Sequence, residues 1–199
     1  MGALTDWSVA SRTMPGEREC GDAHVLVELP DAALAAVIDG LGHGSEAAVA
    51  ARAAVATIAA HPDEPIEMLL ARCHEQLRGT RGAVMTIASF RRMDGTLTWI
   101  GVGNVDAVLI HAHARAARQS ILLRGGVVGY RVPAVRPVTL PIAAGDTLIL
   151  ATDGIRSAFS ENLDMRASPA EIAQHVLERH GKNTDDALVL VARWQGTVA

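Results

Sequence analysis

The chain has 199 residues, 49% hydrophobic and 20% charged, with a formal net charge of −4 and a pI near 6.0. That length allows one domain, or at most two small ones, with a sizeable core, and the acidic balance argues against a nucleic-acid binder. Two unspaced cysteines, Cys20 and Cys73, make neither a disulfide framework nor a zinc motif; no apolar run approaches the ~20 residues of a membrane span, and the N-terminus lacks a signal-peptide pattern.

The expectation from these bounds is a single domain over residues 1–199, reduced and cytoplasmic, without nucleic-acid or membrane partners. Residues 5–12 alternate weakly and predict an edge strand, followed by a polar loop over 14–19. Gly21-Asp22 opens a second strand, 23–29, which turns at Pro30-Asp31 into an apolar strand ending at Asp39-Gly40, a hairpin pattern. The apolar run from Leu34 to Ile38 reads as a strand buried on both faces, with a carboxylate at its mouth. Gly40 and Gly42 remove side-chain bulk there, so that backbone can approach a ligand. Ser45 is the predicted N-cap of an Ala-rich helix, 46–60, stopped by His61-Pro62. Pro65 opens another helix, with Ile66, Leu69, Leu70, Cys73 and Leu77 on one side. Strands then follow at 83–90, 97–102, 105–110, 121–123, 137–140 and 147–152, the last delivering Asp153-Gly154. Ser168-Pro169-Ala170-Glu171 is a capping box that starts a helix reaching Gly181, and residues 187–192 form a closing strand.

This order lacks the strict alternation of a doubly wound parallel sheet. It predicts an α/β fold of two mainly antiparallel sheets packed face to face with helices outside, a four-layer α-β-β-α sandwich. Asp39 and Asp153 end apolar strands, whereas Asp22 and Asp185 begin them. Strand ends lie beside strand starts in antiparallel sheets, so all four can gather at one edge. Such a cluster repels itself unless cations neutralise it, and hard oxygen ligands select Mg²⁺ or Mn²⁺ over zinc. The simpler alternative, that Asp merely forms turns at strand ends, covers one or two of the four.

Four motifs stand in order: Gly21-Asp22, Asp39-Gly40-Leu41-Gly42-His43-Gly44, Thr152-Asp153-Gly154 and Asp185-Asp186. With them the chain resembles the PPM-type, or type 2C, metal-dependent Ser/Thr protein phosphatases, in particular their SpoIIE-like branch and its stand-alone stressosome phosphatases. The resemblance implies that Asp39 bridges two Mn²⁺ or Mg²⁺ ions and that Gly40 offers its carbonyl to one. It further implies that Asp153 and Asp185 hold the other, with Asp22 serving the first directly or through water. Catalysis would then rest on Asp39, Asp153 and Asp185, by in-line attack of water without a covalent phosphoenzyme. The implied partner is a phosphorylated STAS-type regulator or stressosome protein. Relatives often carry threonine two positions after the Asp pair, where this chain has Ala187-Leu188. The competing readings are a metal-dependent phosphohydrolase of a small molecule and a non-catalytic partner-binding module.

Other residues carry weaker signals. His43 invites an acid role but reads first as part of a turn entering a helix. Arg12 and Arg18 are candidates for gripping phosphate, and Asn183 and Asp186 for supporting the ligands. His111 and His113 resemble half a zinc site yet lack further ligands, which points to a loop. Gly101-Val102-Gly103 reads as a hairpin turn rather than a dinucleotide fingerprint. Arg115, Arg118, Arg124, Arg131 and Arg136 concentrate positive charge between residues 111 and 137, which suits docking of an acidic or phosphorylated protein.

Overall fold

The structure is a computed structural model that describes residues 3–113 and 118–196. Among the described residues ten strands form two five-stranded sheets, and every strand pairing within them is antiparallel. The first sheet has the order β1 (Thr5–Arg12), β10 (Ala187–Trp194), β9 (Thr147–Ala151), β6 (Asp106–Ile110) and β7 (Arg118–Ser120). The second has the order β2 (Asp22–Glu28), β3 (Ala32–Gly40), β4 (Ala83–Arg91), β5 (Thr96–Val102) and β8 (Val138–Pro141). Helices α1 (Ser45–Ala60) and α2 (Ile66–Gln76) cover the second sheet, and α3 (Pro169–His180) covers the first. The four-layer sandwich expected from the element order is the observed one.

Strand periodicity explains the layers. Along β3, Leu34, Ala36 and Ile38 pack with α1 and α2, while Ala33, Ala35 and Val37 face the other sheet. Along β10, Ala187, Val189 and Val191 pack with Ile172, Ala173 and Val176 of α3, and Leu188, Leu190 and Ala192 join the inter-sheet core. Phe90 and Trp194 stack across that core at a centroid distance of 5.7 Å. Small residues set the spacing on the helical side. The buried face of α1 is Ala47, Ala48, Ala50, Ala51 and Ala54, and a Cβ on Gly40 would fall 2.1 Å from the Ala47 carbonyl oxygen. A side chain at Gly40 is therefore excluded by the backbone of α1.

The boundaries hold with four corrections. Gly44, at φ 73°, makes the turn into α1, so Ser45 is the first helical residue and its side chain caps nothing. Pro65 is the N-cap of α2 rather than its first helical residue. The strand expected at 121–123 lies at Arg118–Ser120, where three exposed polar residues pair with Val108–Ile110 of β6 at the sheet edge. An edge strand needs no apolar face, so hydrophobicity pointed past it. Gly101 to Gly103 is not a hairpin turn, because β5 and β6 belong to different sheets; Gly103, at φ 92°, makes a crossover packed against Val84. The Ser168–Glu171 capping box forms as expected, with Pro169 at the first helical position. Among the described residues no helix is long and apolar enough to cross a membrane.

Candidate functional site

The strand register places Asp22 directly opposite Asp39. Asp39 shares the inter-sheet side of β3 with Ala33, Ala35 and Val37, so its carboxylate follows the last apolar layer, where the sandwich opens. On the facing sheet, Thr152 and Asp153 leave the end of β9, and Asp185 and Asp186 enter β10. The four predicted aspartates gather at one end of the molecule as expected. They come from both sheets across the sandwich, rather than from the edge of one.

A cleft of about 510 Å³ opens there, lined by Asp39, Asp153 and Asp185 together with Met14, His43, Asn104 and Val127. Thr152 spans the two sheets: its hydroxyl donates to Asp22 Oδ2 at 2.7 Å and accepts from Leu188 N at 2.9 Å. Thr152 thus supports the cluster from just past the end of β9. Asp186 is buried and structural, accepting from Met14 N at 2.8 Å and Gly21 N at 2.7 Å. It thereby fixes the loop that delivers Asp22. Among the described residues Asp185 accepts only from Asp186 N, at 2.9 Å, and Asn183 lies exposed in the preceding turn.

The Asp153-Gly154 turn is held from behind. Lys182, the only lysine, donates its Nζ to the Asp153 carbonyl and its backbone N–H to the Gly154 carbonyl at 2.7 Å. Arg12 in turn donates to the Lys182 carbonyl at 2.7 Å, so its guanidinium is committed to this turn rather than free to grip phosphate. Gly154 is required by space, since a Cβ would fall 1.8 Å from the Asp186 carbonyl oxygen. Asn104 was not singled out by sequence reasoning as a site residue, yet its amide donates to Asp153 Oδ2 at 2.7 Å. Its signal lay in the preceding Gly103, whose turn brings it to the cleft. His43 is exposed on the rim with Nδ1 2.5 Å from Glu17 Oε1, and Arg18 is exposed. His111, by contrast, points away from any metal role: it binds Asp146 at the other end of β6. Arg124, Arg131 and Arg136 are exposed, and Arg115 lies outside the described residues.

Electrostatics sets the cluster apart from the other acids of the chain. Burial first, then the charges of Asp22, Asp153, Asp185 and Asp186, push Asp39 up to about 8. Burial likewise raises Asp22 to about 7, opposed by the Thr152 hydroxyl and reinforced by Asp186, Asp185 and Asp153. Asp185 is raised as well, by partial burial and then by Asp153, with Lys182 pulling the other way. An all-carboxylate donor set whose members push one another towards protonation fits hard divalent cations. Among the described residues no group of three or more acidic, imidazole or thiol side chains is arranged so that it could hold a metal ion by itself. Ions there would complete their shells with water and backbone oxygens, the habit of Mg²⁺ and Mn²⁺. The two thiols offer no alternative nucleophile: burial raises both Cys20 and Cys73 to about 12.

Comparison with known proteins agrees with this geometry. The stage II sporulation protein E (SpoIIE) family matches residues 30–195. Phosphoserine phosphatase RsbX of Bacillus subtilis (strain 168) is 26% identical over 140 residues, 70% of this chain and 69% of RsbX. A chain solved in work on the bacterial stressosome as a modular system controlling secondary messenger signalling superposes with a TM-score of 0.86. It is 29% identical, over 95% of this chain and 99% of that one. The crystal structure of RsbX in complex with magnesium gives a TM-score of 0.85 at 22% identity, over 96% of this chain and 95% of RsbX.

Proposed function

The chain belongs to the stage II sporulation protein E (SpoIIE) family, and on that premise we propose that it is a metal-dependent phosphatase of phosphoserine or phosphothreonine on a regulatory protein. The observation that carries the reading is the carboxylate cluster at the mouth of the sandwich, with Asp39 pushed up to about 8 by burial and four neighbouring acids. Asp39 would be shared between two Mn²⁺ or Mg²⁺ ions, and Asp22, the Gly40 carbonyl, Asp153 and Asp185 would be the other groups to hold them. Such a pair would supply the charge that balances the carboxylates and the Lewis acidity for phosphoryl hydrolysis.

The chain's own groups do the positioning. Thr152 orients Asp22, Asn104 and the Lys182 anchor orient Asp153, and Asp186 fixes the loop that carries Asp22. The inter-sheet core behind Asp39 keeps water out on that side, so the phosphate must enter from the open cleft. The substrate we favour is a phosphorylated STAS-type regulator or stressosome protein. The similarity to RsbX, named a phosphoserine phosphatase, and to a stressosome-related chain supports it. A serine-phosphorylated STAS-domain protein incubated with the enzyme should release phosphate with Mn²⁺ and not with excess EDTA. Release of phosphate from small phosphate esters alone would favour the small-molecule phosphohydrolase instead.

A further inference from the structure

Beside the cleft, the chain forms a small loop built to present side chains rather than bury them. Val127 N donates to Arg131 O and Arg131 N to Val127 O, each at 2.8 Å, which closes residues 127–131 into a tight turn. Val128 is fully buried and exchanges two backbone hydrogen bonds with Ala83 at the start of β4, at 2.8 and 3.0 Å. Gly129 adopts φ 99°, and a Cβ there would fall 2.8 Å from Leu77 Cβ; its N–H donates to His74 Nδ1 at 3.1 Å. The turn is thus fixed to β4 and to the end of α2.

On this fixed base Tyr130, the chain's only tyrosine, is left 84% exposed, and Arg131 beside it is exposed too. Packing does not account for either side chain. Neither Arg131 nor the nearby Arg124 forms an ion pair among the described residues, although the chain as a whole carries a charge of −4. Val127, at the root of the turn, lines the cleft with Asp39 and Asp153. Tyr130 thus stands three residues along the same turn from a wall of that cleft. A rigid, exposed Tyr–Arg pair is the composition that concentrates binding energy at protein interfaces, because little entropy is lost on contact.

We infer that the 127–131 turn is a docking knob for the phosphorylated protein, with Tyr130 entering an apolar dimple and Arg131 meeting carboxylates beside the phosphorylated residue. The inference rests on the phosphatase reading above and adds the chemistry of the partner surface: acidic, with an apolar centre. An uncompensated arginine favours an acidic partner both by bidentate pairing and by steering its approach.

The test uses Tyr130→Ala and Arg131→Glu with three substrates and Mn²⁺. These are p-nitrophenyl phosphate, a phosphoserine peptide flanked by Asp, Glu and Leu, and its counterpart flanked by Lys and Leu. The wild type should prefer the acidic peptide. Each variant should raise KM for that peptide about tenfold with kcat unchanged, the signature of lost ground-state binding, and should leave p-nitrophenyl phosphate hydrolysis unaltered. Equal use of the two peptides by the wild type, an unchanged KM in both variants, or parallel loss on p-nitrophenyl phosphate would each overturn the docking role. Failure of the wild type to hydrolyse p-nitrophenyl phosphate would overturn the phosphatase reading itself, and the docking role with it.

Discussion

Two aspartates at opposite ends of the sandwich show how one residue type acquires two roles. Asp146 follows Gly145 at the start of β9 and is only 2% exposed. Three donors satisfy it: His111 Nδ1 at 2.7 Å, Ala112 N at 2.8 Å and Ala143 N at 3.0 Å. Asp39, at the other end, meets burial and four more carboxylates, with no donor among the influences that shift it. A buried carboxylate supplied with donors is a structural brace. One surrounded by other carboxylates is destabilised in its charged form, the setting in which a cation is the natural partner. The difference lies in which backbone N–H groups the fold turns towards each acid, and that is invisible in a string of residues.

The largest effect that tests this contrast comes from Asp39→Ala. Mn²⁺-dependent hydrolysis of p-nitrophenyl phosphate should fall by about a thousandfold or more if Asp39 has the proposed bridging role. The thermal midpoint of the metal-free protein should hold or rise, because removing one of the clustered charges relieves repulsion. Near-wild-type activity would remove Asp39 from the bridging role. Asp146→Ala should behave in the opposite way. It strands three donors and should cost about 3 kcal/mol of stability in urea unfolding, while the folded fraction keeps its turnover.

How much of this was readable beforehand follows from the same contrast. Register and periodicity depend on local alternation, so the two sheets, the hairpin from Asp22 to Asp39 and the Ser168 capping box could be read from the residues. The four clustered aspartates were legible because each stands at the end or start of an apolar strand. Asn104, Lys182 and Thr152 were missed as site residues because their roles depend on which sheet faces which. Thr152 donates to an acid 130 positions away, and Lys182 works through a backbone carbonyl. The edge strand at Arg118–Ser120 left no apolar trace. The need for glycine at position 40 could be read only in part, because the atoms that exclude a side chain there belong to Ala47 of α1.

A smaller effect sharpens the comparison through pH. The metal-free folded state holds Asp22 and Asp39 at about 7 and about 8, above their ordinary value of 3.8. Between those limits the native state binds more protons than the unfolded chain, so these two groups make stability fall as pH rises from about 4 to about 8. Below that window the penalty is absent. Thermal melts of the metal-free protein should show this decline, and Asp39→Asn should flatten it; an equally steep decline in the variant would mean that other groups cause it. The smallest effect is expected from Cys20→Ser combined with Cys73→Ala. Both thiols sit at about 12, too high for a nucleophile, so kcat should stay within a few-fold. Complete loss from a folded protein would point to thiol chemistry.

The most direct measurement is a calorimetric titration of Mn²⁺ into metal-free protein, run on the wild type and on Asp39→Asn. Two ions should bind per wild-type chain, more tightly as pH rises from about 6 to about 8 because protons and cations compete for the same carboxylates. At least one ion should be lost in Asp39→Asn, with the fold intact by circular dichroism. Two ions bound with unchanged affinity in Asp39→Asn, or no binding to the wild type, would contradict the assignment of this carboxylate cluster as the metal centre.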